Sequence, residues 1–171
     1  MKRKPGALTM SEDDRRLLAV WAADCAQRTL PLFEAHAPGD ARPRDAIEGL
    51  RAFARGEMRI GTMRALAACA HAATREIGDP AAVAAARAAG HAAAVAHMAA
   101  HARGAPAYAA LATGLATPDD PFAADDEIQW ALRHASVGTR QVLRRLPPPV
   151  RAGGELGRLI GALHEQMIEG G

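Results

Sequence analysis

His91, His97 and His101 stand close together in the chain, and imidazole nitrogen is the commonest side-chain ligand for zinc and related metals. They lie in an alanine-dominated run from Asp79 to Leu111. Asp79–Pro80 reads as a helix start, an aspartate to cap free N–H groups followed by a proline at the first helical position. The residues AAVAAARAAGHAAAVAHMAAHARG then continue to Gly104 without strand-like alternation, so propensity predicts one helix. On such a helix His97 and His101, four apart, share one face, and His91 sits roughly 120° and 80° away from them. A histidine pair at i, i+4 can grip one zinc ion, but catalytic zinc takes three protein ligands. His71 and Cys69 on the preceding helix are the candidates to complete a divalent metal site.

The same histidines also have a packing explanation, and that explanation is favoured. His91 shares the most apolar row of the helix with Ala84, Ala88, Val95, Met98 and Ala102. Beside Gly90 it suits a buried, hydrogen-bonded side chain at a tight helix crossing, with His97 and His101 as polar surface or interface residues on the row of Arg87, Gly90 and Ala94. No cofactor is then expected, a divalent metal being the alternative. Other catalytic patterns are incomplete. His164–Glu165 begins as a zinc-protease helix would, but position 168 is Ile where the second histidine belongs. Gly153, Gly154, Gly157 and Gly161 lack the preceding strand of a phosphate loop, and the spacing of Gly157 and Gly161 suggests close helix packing instead. Ser136 has no nucleophile-elbow context.

The elements that position these residues all read as helices. Ser11 followed by Glu12, Asp13 and Asp14 makes a capping box with acids at the positive end of a helix. That helix runs through Leu17, Leu18, Trp21, Cys25 and Leu30 until Pro31 breaks or kinks it. A second helix spans Arg42 to Gly56, and a third carries Met63, Leu66, Ala70 and Ile77. Beyond the histidine helix, Pro106 starts a short one with Tyr108 and Leu111. A further helix from Ile128 to Leu146 ends at Pro147–Pro149, and Leu156 to Ile168 makes the last. The predicted fold is all-α, a single-domain array of about seven helices with no sheet. Residues 1–10 form a flexible basic tail and 11–171 the domain.

Composition narrows the function classes. Of 171 residues, 43 are alanine, aromatic content is 4% and there is no asparagine, so close helix approach replaces interlocking large side chains. The net charge of +2 and the scarcity of aromatic rings give no case for nucleic-acid binding. No run of apolar residues is long enough for a membrane span, and MKRKPGALTM lacks the apolar segment of a secretory signal. Cys25 and Cys69 read as small buried residues in a reducing compartment. The expectation is a cytoplasmic protein. Arg51, Arg55 and Arg59, spaced by four, form an arginine stripe if their helix continues. It is either a solvated face with local pairs such as Arg44–Glu48 or a patch for an acidic partner.

Three phrases carry a resemblance: DRRLLAVWAADCAQRTLPLFE (Asp14–Glu34), RPRDAIEGLRAFARGE (Arg42–Glu57) and AAGHAAAVAHMAAHARGAPAYA (Ala88–Ala109). With the later QWALRHASVGTRQVLRRLPPPV, and in this order, they resemble a bacterial family of immunity proteins of polymorphic toxin systems, over Asp14 to Val150. The resemblance implies an all-α cytoplasmic protein that binds a cognate toxin and blocks it. It assigns no catalytic or toxin-contact residue, and some relatives carry an exonuclease label that no carboxylate set here supports. Three functions are therefore expected in order: a non-catalytic toxin-neutralising binding protein, a metal-binding protein or metal-dependent enzyme built on the histidines, and a homo-oligomeric scaffold.

Overall fold

A computed structural model describes residues 9–169. Eight α-helices follow one another: α1 Glu12–His36, α2 Arg42–Ala54, α3 Ile60–Ala73, α4 Pro80–Ala94, α5 Gly104–Ala116, α6 Ala123–His134, α7 Val137–Arg145 and α8 Gly154–Glu169. Short 3-10 turns occupy Thr74–Glu76 and Ala99–Arg103. Among the described residues there is no strand, so the all-α prediction holds, with eight helices where about seven were expected. No helix there is long and apolar enough to cross a membrane.

Helix α4 is the centre of the array and packs against α1, α2, α3 and α5. It can do so because its side chains are small. Ala81, Ala82, Ala84, Ala85, Ala86, Ala88, Ala89, Ala92, Ala93 and Ala94 are all buried, as is Gly90. A helix buried on nearly every side has no amphipathic face, and only small residues let four neighbours close on it at once. Larger side chains lie outside this sheath: Leu18, Ile47, Leu50, Phe53 and Met63 are almost fully excluded from water. Helix α5 carries the packing onward to α6 and α8.

Both ends of the predicted boundaries shift for physical reasons. Pro31 does not end α1, which continues to His36. Leu30 and Phe33 on either side are buried, and that burial outweighs the roughly 3 kcal/mol a proline costs inside a helix. The predicted helix from Ile128 to Leu146 is two helices. Ser136 turns the chain and its hydroxyl accepts from the Thr139 N–H at 3.1 Å, starting α7. Arg140 donates to the carbonyls of Leu132 and Ala135, closing the end of α6.

Several smaller expectations also change. Met10, assigned to the tail, is buried at φ 58°; residues 1–8 lie outside the described residues. Leu17, which fits the apolar period of α1, is nonetheless 45% exposed. Cys25 is buried as expected, but Cys69 is exposed. A Cβ at Gly157 would strike the Ala152 carbonyl oxygen, whereas Gly161 faces open space, so this pair supports a local turn and not a helix–helix contact.

The sheath around α4 makes a direct prediction. Ala89→Leu adds three carbons where exposure is 0% and lowers stability by about 1–3 kcal/mol, read as an earlier urea midpoint. Ala68→Leu on the exposed face of α3 leaves it within about 0.5 kcal/mol.

Candidate functional site

The alanine helix ends earlier than propensity demands. Helix α4 stops at Ala94. The N–H groups of Val95, Ala96 and His97 then reach carbonyls only three residues back. Met98 turns extended at φ −151° and ψ 109°, and the chain reverses through the 3-10 turn into α5. The stretch from Val95 to Arg103 is made of helix formers, so the break comes from tertiary contacts. Arg15 of α1 is 7% exposed, and its Nε donates to the Ala96 carbonyl at 2.8 Å. The same guanidinium holds the carbonyls of Thr9 and Met10. Arg103 does the equivalent at the other end of the turn, donating to the carbonyls of Leu143, Leu146 and Pro147 beside the end of α7.

Because of this reversal, His97 and His101 do not share a helical face. Four imidazoles instead form a row in the order His71, His91, His101, His97. Successive ring centres are 5.3, 5.2 and 5.8 Å apart. Tyr108 of α5 lies against His91 at 4.9 Å. Two glycines seat the row. A Cβ at Gly90 would come within 2.6–2.8 Å of the His71 ring, and one at Gly104 would come within 2.3 Å of His91 Nδ1. Gly90 thus accommodates His71, and the seat for His91 is Gly104. Tyr108 and Gly104 are the partners the sequence did not mark, since only the chain reversal brings them to the histidines.

The row has one polar link. His91 Nδ1 and His101 Nδ1 are 3.3 Å apart, a separation that requires one to donate and the other to accept. His97 Nδ1 is buried without a hydrogen-bond partner. Burial pushes the pKa of His91 down to about 3, helped by His101, His71 and Arg87. Burial lowers His71, His97 and His101 as well. The row is therefore neutral at neutral pH. A cavity of about 300 Å³ opens beside it, lined by His91, His101, Arg103, Gly104, Pro148 and Ile160 among others.

Neutral imidazoles are competent ligands, but three donors must converge for a zinc site. Among the described residues no three His, Cys, Asp or Glu side chains are grouped to hold a metal ion. The row brings neighbours together in pairs, and Cys69 is exposed on α3. The arginine stripe is likewise dispersed. Helix α2 ends at Ala54 and Gly56 takes φ 80°, so Arg51, Arg55 and Arg59 fall on different elements. Arg51 pairs with Asp24 and Arg55 with Glu57, each at 2.7–2.8 Å. Arg44 pairs with Glu34 of α1 where a local bond to Glu48 was expected.

The lowered histidine pKa values fix a pH dependence. Unfolded His91 gains a proton below about pH 6.5 while folded His91 resists until about 3. Its contribution is full above pH 6.5 and falls by about 1.4 kcal/mol per pH unit as the solution acidifies through that window. Chemical denaturation of wild type and His91→Gln at pH 7, 5.5 and 4.5 checks this. The stability advantage of the wild type shrinks as pH falls, and a constant advantage contradicts the assignment.

Comparison with known proteins follows the helical frame closely. The family model described as Imm-5 like putative immunity protein matches residues 8–137, from the chain before α1 to the first residue of α7, and includes the whole histidine row. No curated protein and no solved structure matches. An all-α chain matched over most of its length in this way belongs to the Imm-5 like putative immunity protein family.

Proposed function

We propose that this protein neutralises a cognate protein toxin in the cytoplasm by binding it and covering its working surface, with no chemical step of its own. The family match over residues 8–137 is the observation that carries this reading. The packing of the site is consistent with it. The side chains best suited to chemistry are half-buried between helices and lean on glycines, Tyr108 and one another. Such a cluster is suited to fixing the ends of α3 and α4 against α5. Occlusion needs a rigid surface of standard interface size, about 800 Å² per partner, which a helical array provides.

Co-expression tests the reading. A cognate toxin domain expressed alone is expected to arrest growth of a bacterial host, and co-expression of the wild-type protein to restore it. The purified pair elutes as a stoichiometric complex, and toxin separated from it under denaturing conditions and refolded regains full activity. Protection at amounts far below the toxin's, or toxin recovered covalently altered, would show catalysis instead. Elemental analysis of tag-free protein checks the metal-dependent alternative: less than about 0.1 equivalent of zinc, iron or manganese is expected, and a full equivalent reverses the ranking.

A further inference from the structure

We infer that the outer stripe of α1, with the groove it borders, is the toxin-docking surface. Its occupant is a toxin segment that presents an apolar anchor flanked by basic side chains. This rests on the toxin-binding reading above and adds the site and the chemistry of the partner. The stripe runs Asp13, Leu17, Val20, Asp24, Arg28, one residue per helical turn. Leu17 is 45% and Val20 51% exposed, and they border a groove of about 560 Å³ floored by Trp21 and Ala54. The far wall is the start of α7. Gly138 faces Leu17 there, a Cβ on it coming 3.5 Å from the leucine methyl. Its chain neighbour Val137 is 74% exposed.

Charge at the groove selects the partner. Arg16, the one arginine lining it, is already answered within the chain by Glu12 at 2.5 Å, and Asp24 on its wall is paired with Arg51 at 2.7 Å. The side chain of Asp13 is 92% exposed, and its contact with Arg16 is 3.6 Å, longer than the one Glu12 makes. The lip therefore carries excess negative charge on a chain whose net charge is +2, so it favours lysine or arginine beside the anchor. At the other end of the stripe Arg28 lies 4.1 Å over the Trp130 ring and pairs with Glu127. His134 stacks on the same indole at 3.7 Å. A tryptophan held in place by an arginine and a histidine belongs to the residue types that dominate binding energy, and its immobilisation reduces the entropy lost on association.

The probe is a displayed library of random peptides of about 14 residues, selected on the wild-type protein alone and then measured on each variant. Enriched peptides are expected to combine an aliphatic or aromatic residue with nearby lysine or arginine. Their affinity falls at least 50-fold on Val20→Glu and about fivefold on Asp13→Lys, and is unchanged by Leu115→Glu, an equally exposed leucine on α5. Peptides with acidic flanks, or indifferent to Val20→Glu, overturn the proposal. The growth assay separates its failure from that of the underlying reading. Loss of protection by Val20→Glu, with the wild-type melting temperature retained, supports the groove. Full protection by Val20→Glu and by Leu17→Glu overturns the groove while toxin neutralisation stands, and no protection by the wild type sinks both. A wild-type dimer that Val20→Glu dissolves in sedimentation assigns the groove to a second copy and also overturns it.

Discussion

Close approach of backbones around α4 is the constraint on which the rest of the structure depends. Four helices reach this one because it presents methyl groups almost everywhere, and dispersion between closely spaced main chains replaces the interlocking of large side chains. The tight approach then decides where bulk is allowed. An imidazole fits at the crossing of α3 and α4 only because Gly90 has no side chain, and another fits against α5 only because of Gly104. Larger apolar residues come from the neighbouring helices, Leu18 from α1 and Ile47, Leu50 and Phe53 from α2, and join the same buried cluster.

Main-chain polar groups at the helix ends are the second demand, and arginine meets it. Helix termini leave carbonyls without partners, and in a closely packed array water cannot reach all of them. Arg103 and Arg140 each donate to two or more such oxygens, and Arg15 ties the Ala96 carbonyl beyond the end of α4 to the carbonyls of Thr9 and Met10 before α1. The planar guanidinium, with five donors on a long stem, suits this task better than lysine. The arginine richness of the chain thus has a structural use in addition to surface charge. Arg15 and Arg103 have lowered pKa values through burial, but a guanidinium stays protonated and keeps donating.

The sequence revealed the class of the fold and most helix starts, because those depend on local chemistry. Ser11 and Asp79 cap the helices predicted for them, and the acids after Ser11 lie where the helix dipole favours them. The boundaries that escaped depend on distant residues. Nothing within Val95–Arg103 marks a chain reversal; the arginine that holds the Ala96 carbonyl lies 81 positions away. The histidines were legible as a group, including His71, but their arrangement was not. A helical wheel placed His97 beside His101 on a surface that does not exist, and the observed row follows from the turn. The arginine stripe failed for a similar reason, since Gly56 ends its helix before the third member. Leu17 fits the apolar period of α1 yet faces outward, because period identifies a row of residues and not the neighbour that covers it.

The alanine sheath has a consequence for how such a protein diverges. At a methyl-lined position there is almost no side chain left to remove and no room to add one, so nearly every replacement there is deleterious. The outer turns of α1 and the start of α7 carry no such restriction: Val20 and Val137 project into open space. Replacements on those outer turns change the exposed surface without disturbing the packing around α4.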